Sequence, residues 1–436
     1  MSASLTESAA GRSGARRGDP HIDTQRTVAT RKAVAAAVAG NALEFYDFIT
    51  YAFFAVYIGQ TFFPARTAYA SLLLSVGVFG IGFLARPLGG IVFGALGDRV
   101  GRRPSLILTM VLMVVGTLGV ALTPSYASIG LAAPLIVVVA RLVQGLALGG
   151  EIGPSSAFLV ESAPPGKRGL YASWQLGSQG AGILVAGIIG VVFSHLLDHA
   201  QMLAWGWRVP FLVGLLIVPV AVFMRRAMPE TLHAPAPRTA PAGKPPAALL
   251  LIAVGVILGG TVSTYVGNYM TTYAITTLHM PVAAAMGATV AVGLCTLVFS
   301  IVGGWLSDRH GRRATMLWPR LLAALLTVPA FLLLNAVPGP LTLLAVSAVL
   351  ATLTAISGAA SLVAIPEAFA RRHRALGMGI AYAIGVSVFG GTTQFIITWL
   401  IHATHSAVAP AWYVTVASVV TAAAMWLMPE TRDTPT

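Results

Sequence analysis

Runs of about 20 apolar residues, separated by short polar or basic loops, recur along the whole 436-residue chain. A helix needs roughly that many residues to cross a ~30 Å hydrocarbon core. The runs predict twelve spans, at 33–57, 71–95, 105–123, 131–157, 169–193, 208–226, 247–275, 284–306, 315–336, 341–365, 375–401 and 409–428. One long interior stretch interrupts them, "AMPETLHAPAPRTAPAGKPP" at 227–246, rich in Pro and Ala. The pattern predicts an all-α membrane protein of 12 transmembrane helices. Residues 1–32 are expected to form a disordered cytoplasmic tail, 33–226 an N-terminal six-helix half, 227–246 a cytoplasmic linker, 247–428 a C-terminal six-helix half and 429–436 a short cytoplasmic tail.

Composition agrees. The chain is 56% hydrophobic and 9% charged, with mean hydropathy +0.81, where a soluble protein carries about 25% charged residues. A formal charge of +13 could point to nucleic acid, but its placement does not. Of the 27 lysines and arginines, 22 lie in the N-terminal tail, the even-to-odd loops, the linker and the C-terminal tail; the opposite loops carry Arg66 and Arg208. Positive residues stay inside, so both termini are expected in the cytoplasm, and the partners expected are a lipid bilayer and a small molecule. Cys295 is the only cysteine, so no internal disulfide forms. "ARRG" at 15–18 resembles an export signal only superficially; the first span serves as its own insertion signal.

The halves echo each other. "GDRVGRR" (97–103) recurs as "SDRHGRR" (307–313), "ESAPPGKR" (161–168) as "EAFARRHR" (367–374), and "MPET" at 228 and 428. Three motifs repeated in one order indicate a duplicated six-helix unit with pseudo-symmetric halves. That arrangement puts a substrate site near the bilayer midplane.

Charges inside the spans need explaining. Glu44 and Asp47 sit in the first, Arg86 in the second and Arg141 in the fourth. Each costs roughly 2.5–3.5 kcal/mol at a helix centre if unpaired, so they pair or line a wet cavity. At ~1.5 Å per residue, Asp47 lies about 20 Å from the cytoplasmic end of its helix and Arg141 about 15 Å from the outer end of its own. Counting therefore predicts a midplane Asp47–Arg141 pair. Glu44 and Asp47, three residues apart, share a helix face. Their mutual repulsion, set against the nearby Arg141, can bring a carboxyl towards neutrality.

The D-R-x-G-R-R loops resemble the signature of the major facilitator superfamily. Within it, "GNALEFYDF" (40–48), "FLARPLGG" (83–90), "RLVQGLALGGE" (141–151) and "SVFGG" (387–391) are similar to the metabolite:proton symporter family. "PSYASIGLAAP" (124–134) and "SWQLGSQ" (173–179) look like the citrate and tricarballylate carriers of that family. The resemblance implies proton coupling at Asp47, with Glu44 and Arg141, and substrate contact at Arg86 and Arg141. Arg86 could instead satisfy Glu44 or Glu151, and an anion and a zwitterion both stay open as substrate.

Polar side chains on single helix faces suggest the rest of the cavity: Gln175 and Gln179 in the fifth span, Tyr265, Asn268, Tyr269 and Thr272 with Tyr273 in the seventh, and Tyr382 and Gln394 in the eleventh. Such groups orient a ligand or tie helices together. At the cytoplasmic surface the resemblance implies a salt-bridge gate. Asp98, Arg102 and Arg103 would join Glu161 and Glu230, and Asp308, Arg312 and Arg313 would join Glu367 and Glu430.

Other signals carry little. "GIGFLA" (80–85) lacks the strand a dinucleotide fingerprint needs, and His195, Asp198, His199, His402 and His405 read as solvated loops rather than a metal site. Neither a catalytic triad nor a phosphate loop is visible, so an enzyme is not expected, and no cofactor beyond a coupling ion, proton or sodium. The expectation is a monomeric, proton-coupled importer of a small organic anion such as citrate in a bacterial inner membrane, working by alternating access. Antiport is the alternative, opposed by the absence of proline in the fifth span; a non-transporting sensor is a distant one.

Overall fold

Hydrocarbon offers the backbone no hydrogen-bond partners, so a chain this apolar must close its peptide bonds within helices. The computed structural model describes residues 20–100, 102–215, 246–370 and 374–432. The side chains of 20–33, 94, 97, 98, 101–103, 106, 151–158, 161 and 374–376 are outside that description. Asp98, Arg102, Arg103, Glu151 and Glu161 therefore carry no side-chain statement, and Glu230 with nearly all of the linker lies outside the described residues.

Among the described residues nine helices are long and apolar enough to cross a membrane. The first span is a tenth, broken in two; Arg102–Leu122 is a shorter apolar helix; and helix begins again over 209–215, where the sixth span is expected. Helices overrun the apolar runs by a few residues, as in Arg168–Leu196 and Pro340–Ala368, because the backbone ladder continues past the hydrocarbon boundary.

Three spans are interrupted. The first is helical over Pro20–Phe53, so that helix begins within the tail expected to be disordered, ahead of the predicted start at 33; it breaks at Phe54 and resumes over Ala55–Phe62 at an angle of 65°. The second runs Ala68–Leu84 and Arg86–Val100; Pro87 lacks an N–H and crowds the carbonyl four residues back, which explains the break. In the eleventh, Arg374–Ile384 and Gly391–Thr404 are joined by a π-helical turn over Gly385–Gly390.

Two seams join the halves. Along the fifth and eighth spans, Gly180 lies against the backbone of Gly293 and Leu297, so a methyl group there would strike main chain. Along the second and eleventh spans, Gly80 faces the Gly391 carbonyl, and the Tyr69 ring stacks on His402 with centroids 3.8 Å apart. Backbone approach of this kind is how helices associate where no hydrophobic drive exists.

Large apolar side chains point outward, among them Leu88, Ile91, Leu251, Leu325 and Leu341. In water such a surface would aggregate; against lipid it costs nothing. Exposed tryptophans gather at the two ends: Trp305, Trp318 and Trp426 at the basic end, Trp205, Trp399 and Trp412 at the other. These are the headgroup levels that indole prefers.

Gly180→Val should lower the thermal midpoint of detergent-purified protein, consistent with overpacking costs of about 1–3 kcal/mol. Gly339→Ala, at a glycine with nothing within 4 Å, should leave it unchanged.

Candidate functional site

Two arginines meet on one phenylalanine. The Arg86 guanidinium lies 4.4 Å from the centroid of the Phe48 ring, and that of Arg141 lies 4.3 Å from it. Arg86 also covers Phe83 at 3.9 Å, and Arg141 approaches Tyr51 at 4.6 Å and Phe79 at 5.0 Å. Arg141 is 0% exposed. Its Nη1 donates to the Phe48 carbonyl at 3.3 Å and to Gln144 Oε1 at 2.8 Å, and Gln144 is held by Thr117 at 3.0 Å.

Nε and Nη2 of both arginines have no hydrogen-bond partner among the described residues, and no ion pair joins either arginine to a carboxylate there. Aromatic faces offset part of the cost of burying a cation, but four N–H-bearing atoms remain to be satisfied. From the second half Tyr265 packs edge-on against Phe83, and its phenol interacts electrostatically with both arginines; Tyr382 does so with Arg86. The site thus lies where the halves meet.

Asp47 does not join Arg141, in contrast to the pair that counting predicts. Its carboxylate turns to the sixth span and lies against Gly214, with Oδ1 unpartnered among the described residues. Any side chain at Gly214 would collide with it. The reason is azimuth. Arg141 occupies the face of the first helix that carries Phe48 and Tyr51, and Asp47, one residue earlier, points about 100° away. Tyr46 donates to the Pro210 carbonyl at 2.6 Å, fixing the first span on the sixth. Glu44 is buried three residues before Asp47.

The polar positions divide into two sets. Gln175 donates to Asn41 Oδ1 at 3.0 Å, and Asn41 donates back to the Gln175 carbonyl and to Ser178. The Tyr269 hydroxyl accepts from Thr398, and Tyr273 donates to the Ala407 carbonyl while accepting from Asn335. These three tie helices together. Asn268 and Gln394, by contrast, are buried with both amide atoms unpartnered among the described residues, as is the hydroxyl of Thr272. Gln179 and Tyr382 are half-buried.

At the basic end the second-half loop is fully described. Asp308 accepts from the backbone N–H groups of Gly169 and Leu170 at 2.8 and 2.9 Å, so an eighth-span carboxylate sits on the N-terminus of the fifth helix in the other half. That is where the helix dipole favours an anion. Arg312 lies 2.7 Å from Asp308 and 3.2 Å from Glu367. Arg168 of the first half lies 3.9 Å from Glu367. Glu430 meets no arginine side chain among the described residues; it accepts from the N–H groups of Arg312 and Arg313 at 2.9 and 3.0 Å, while the Arg313 guanidinium covers Trp426.

Sequence comparisons match residues 32–233 to the model described as "Sugar (and other) transporter" and residues 250–436 to that of the Major Facilitator Superfamily. The citrate-proton symporter of Klebsiella pneumoniae is 38% identical over 395 residues, 89% of each chain. This chain belongs to the major facilitator superfamily, in its metabolite:proton symporter family. Other relatives of this family member are the alpha-ketoglutarate permease of Escherichia coli (strain K12), 35% identical over 91% of this chain and 93% of that one, and the proline/betaine transporter of the same strain, 32% identical over 93% and 84%. The D-xylose-proton symporter structure has the same fold, with TM-score 0.75 at 19% identity over 93% of this chain and 99% of that one. The metabolite:proton symporter described here is a transporter, not an enzyme.

Two groups in this transporter escaped sequence reading. Gly214 is signalled by nothing but a glycine in an apolar run. Arg320 is fully buried in the ninth span, yet lies only eight residues past the start of its helix at Arg312, so it passes for a loop charge.

Glu430 lies beyond the last span. Burial alone would raise its carboxyl, but backbone N–H groups of Arg312, Arg313, Arg432 and Thr431 outweigh that and hold it below the usual carboxylate range. A lowered carboxyl adds stability above its unfolded value and loses it as pH falls through the lowered one. Glu430→Gln should therefore cost about 0.5 kcal/mol at pH 7, the low end for an exposed cap. The difference should vanish in acid below the ordinary carboxylate range, as thermal melts against pH would record.

Proposed function

We propose that this family member imports a small organic anion with two or three carboxylates, citrate among them, together with protons, by alternating access. The observation that carries the reading is the Arg86–Arg141 pair: two buried forks on one aromatic wall, with N–H-bearing atoms that have no partner among the described residues. Two like charges this close repel, and a dianion relieves both. A planar carboxylate matches a guanidinium bidentately. Asn268, Gln394, Tyr265 and Tyr382 supply neutral donors and acceptors for the remainder of the ligand. The names of the citrate-proton symporter and alpha-ketoglutarate permease relatives support the same substrate class.

Asp47 is the proposed proton carrier, and Phe48 links it to the substrate. The Phe48 carbonyl is held by Arg141 and its ring carries both arginines, so drawing Arg141 onto a carboxylate releases the first helix one residue from Asp47. Protonation removes the charge buried against Gly214 and lets the halves rock. The Asp308–Arg312–Glu367 cluster, clasping the fifth helix, closes the basic end. The distribution of lysine and arginine supports a cytoplasmic basic end with both termini there, in a bacterial inner membrane. The protein acts as a monomer and needs no cofactor beyond the proton.

A zwitterion such as proline or betaine is the second reading, favoured by the proline/betaine relatives. The aromatic faces that would cage a quaternary ammonium are already covered by the guanidinium groups, which favours the anion.

Proteoliposomes with an inward proton gradient test both. Citrate or 2-oxoglutarate should accumulate with internal acidification, and proline and betaine should not. Asp47→Asn should abolish accumulation but keep exchange of labelled for unlabelled substrate. Intact, pH-dependent accumulation in that variant would remove Asp47 from the coupling. Arg141→Lys, which keeps charge but loses the fork, should raise KM about ten-fold or more, the equivalent of ~1.4 kcal/mol.

A further inference from the structure

Arg141 offers one edge of its guanidinium and not the other, and two uncharged side chains decide which. A guanidinium carries five N–H bonds, two on each Nη and one on Nε. Nη1 of Arg141 donates both of its own, to Gln144 Oε1 at 2.8 Å and to the Phe48 carbonyl at 3.3 Å. Nε and Nη2 have no partner among the described residues. These two nitrogens form the side-on edge of the fork, which can bond both oxygens of one carboxylate. The end-on edge between Nη1 and Nη2 is closed, because no Nη1 hydrogen is left for it.

Gln144 lies one turn after Arg141 on the fourth span and is 0% exposed. Its amide can meet a guanidinium only through oxygen, since nitrogen would set donor against donor. Thr117 of the third span, equally buried, holds the amide that way round, its hydroxyl accepting from Gln144 Nε2 at 3.0 Å. Gly116 keeps the space for this contact: a methyl group there would strike Gln144 Cγ and the Ala140 carbonyl. Gly82 of the second span lies beside the free edge, where a methyl group would sit 3.6 Å from Arg141 Nη2. The tie also carries no charge. A glutamate of the same shape would hold Nη1 as firmly but neutralise the cation.

We propose that Gln144 and Thr117 are positioning residues for substrate. They form a neutral relay from the third span that locks Nη1 of Arg141 and leaves the Nε–Nη2 edge to take one substrate carboxylate side-on. The inference rests on the reading of Arg141 as an anion-binding group. Arg86 has the same two nitrogens unpartnered among the described residues, so the site suits an acid with two carboxylates, each gripped side-on. The relay sets affinity rather than turnover, because it fixes the direction of a binding group and leaves Asp47 and the basic-end cluster untouched.

Counterflow of labelled citrate in proteoliposomes, with full-length protein and no proton gradient, separates KM from maximal rate. Gln144→Glu should raise KM about ten-fold, the scale of one charge-assisted hydrogen bond, because the new carboxylate competes with substrate for Arg141; the maximal rate should be kept. Thr117→Val, which keeps shape but loses the acceptor, should raise KM about three-fold, and Thr117→Ser should restore it. A merely structural role predicts a lowered thermal midpoint with KM unmoved, and valine tolerated as well as serine. An unchanged KM in either Gln144→Glu or Thr117→Val overturns the proposal. Arg141→Lys tells the two readings apart. If it raises KM while those variants do not, the relay fails and the anion reading stands. If it leaves KM unmoved as well, or if wild type exchanges neither citrate nor 2-oxoglutarate, both fall.

Discussion

Every polar group in this protein that lies at membrane depth must find its partner within the protein, because lipid supplies none. Backbone groups solve the problem locally by forming helices. Side chains solve it pairwise, as Asn41 with Gln175 and Ser178, or Tyr273 with Asn335 and the Ala407 carbonyl, do. What remains after these pairings is a short set of cations and amides with hydrogen-bonding capacity unspent. Arg86 and Arg141, the part of that remainder contributed by the first half, lie where Tyr265 of the second half meets them, between the two glycine seams.

The arrangement separates two tasks often imagined as one ion pair. Arg141 is fixed by Gln144 and the Phe48 carbonyl, and Asp47 is walled in by the sixth span. Arg141 bonds to Phe48, the neighbour of Asp47, and not to Asp47 itself. If Arg141 recognises the substrate and Asp47 carries the proton, as proposed, the only link between them among the described residues is the backbone of the first helix at Phe48. The contact at the basic end follows the same logic of borrowed partners: Asp308 of one half accepts from main-chain N–H groups in the first turn of the fifth helix of the other.

Much of the fold was legible because bilayer thickness sets helix length and the loops repeat. Depth was legible too: counting residues brings Arg141 to the level of the first-span acids, and Arg141 does reach residue 48. Azimuth was not. Whether Asp47 or Phe48 faces the fourth span depends on how the first helix is rotated, and no periodicity in so uniformly apolar a segment records it. Gln175 and Gln179 share a helix face by their spacing, but the neighbour that engages Gln175, Asn41, lies 134 positions away. A proline such as Pro87 is a general signal for a helix break, whereas Phe54 carries none. Arg320 was lost because charges near a span's end look like loop residues.

The π-helical turn at Gly385–Gly390 has a consequence for the internal repeat. Such a turn accommodates one residue more than an α-helical turn. The fifth span, its counterpart, is α-helical throughout Arg168–Leu196. The two helices therefore run in phase from their basic ends only as far as Gly385. Beyond it they are offset by one residue, about 100° of rotation, so that Gln394 presents a face its first-half equivalent does not. The duplication is a symmetry of path, broken in side-chain direction at the helix that carries Gln394. A carrier so built can offer a lopsided ligand two unlike walls from one ancestral unit.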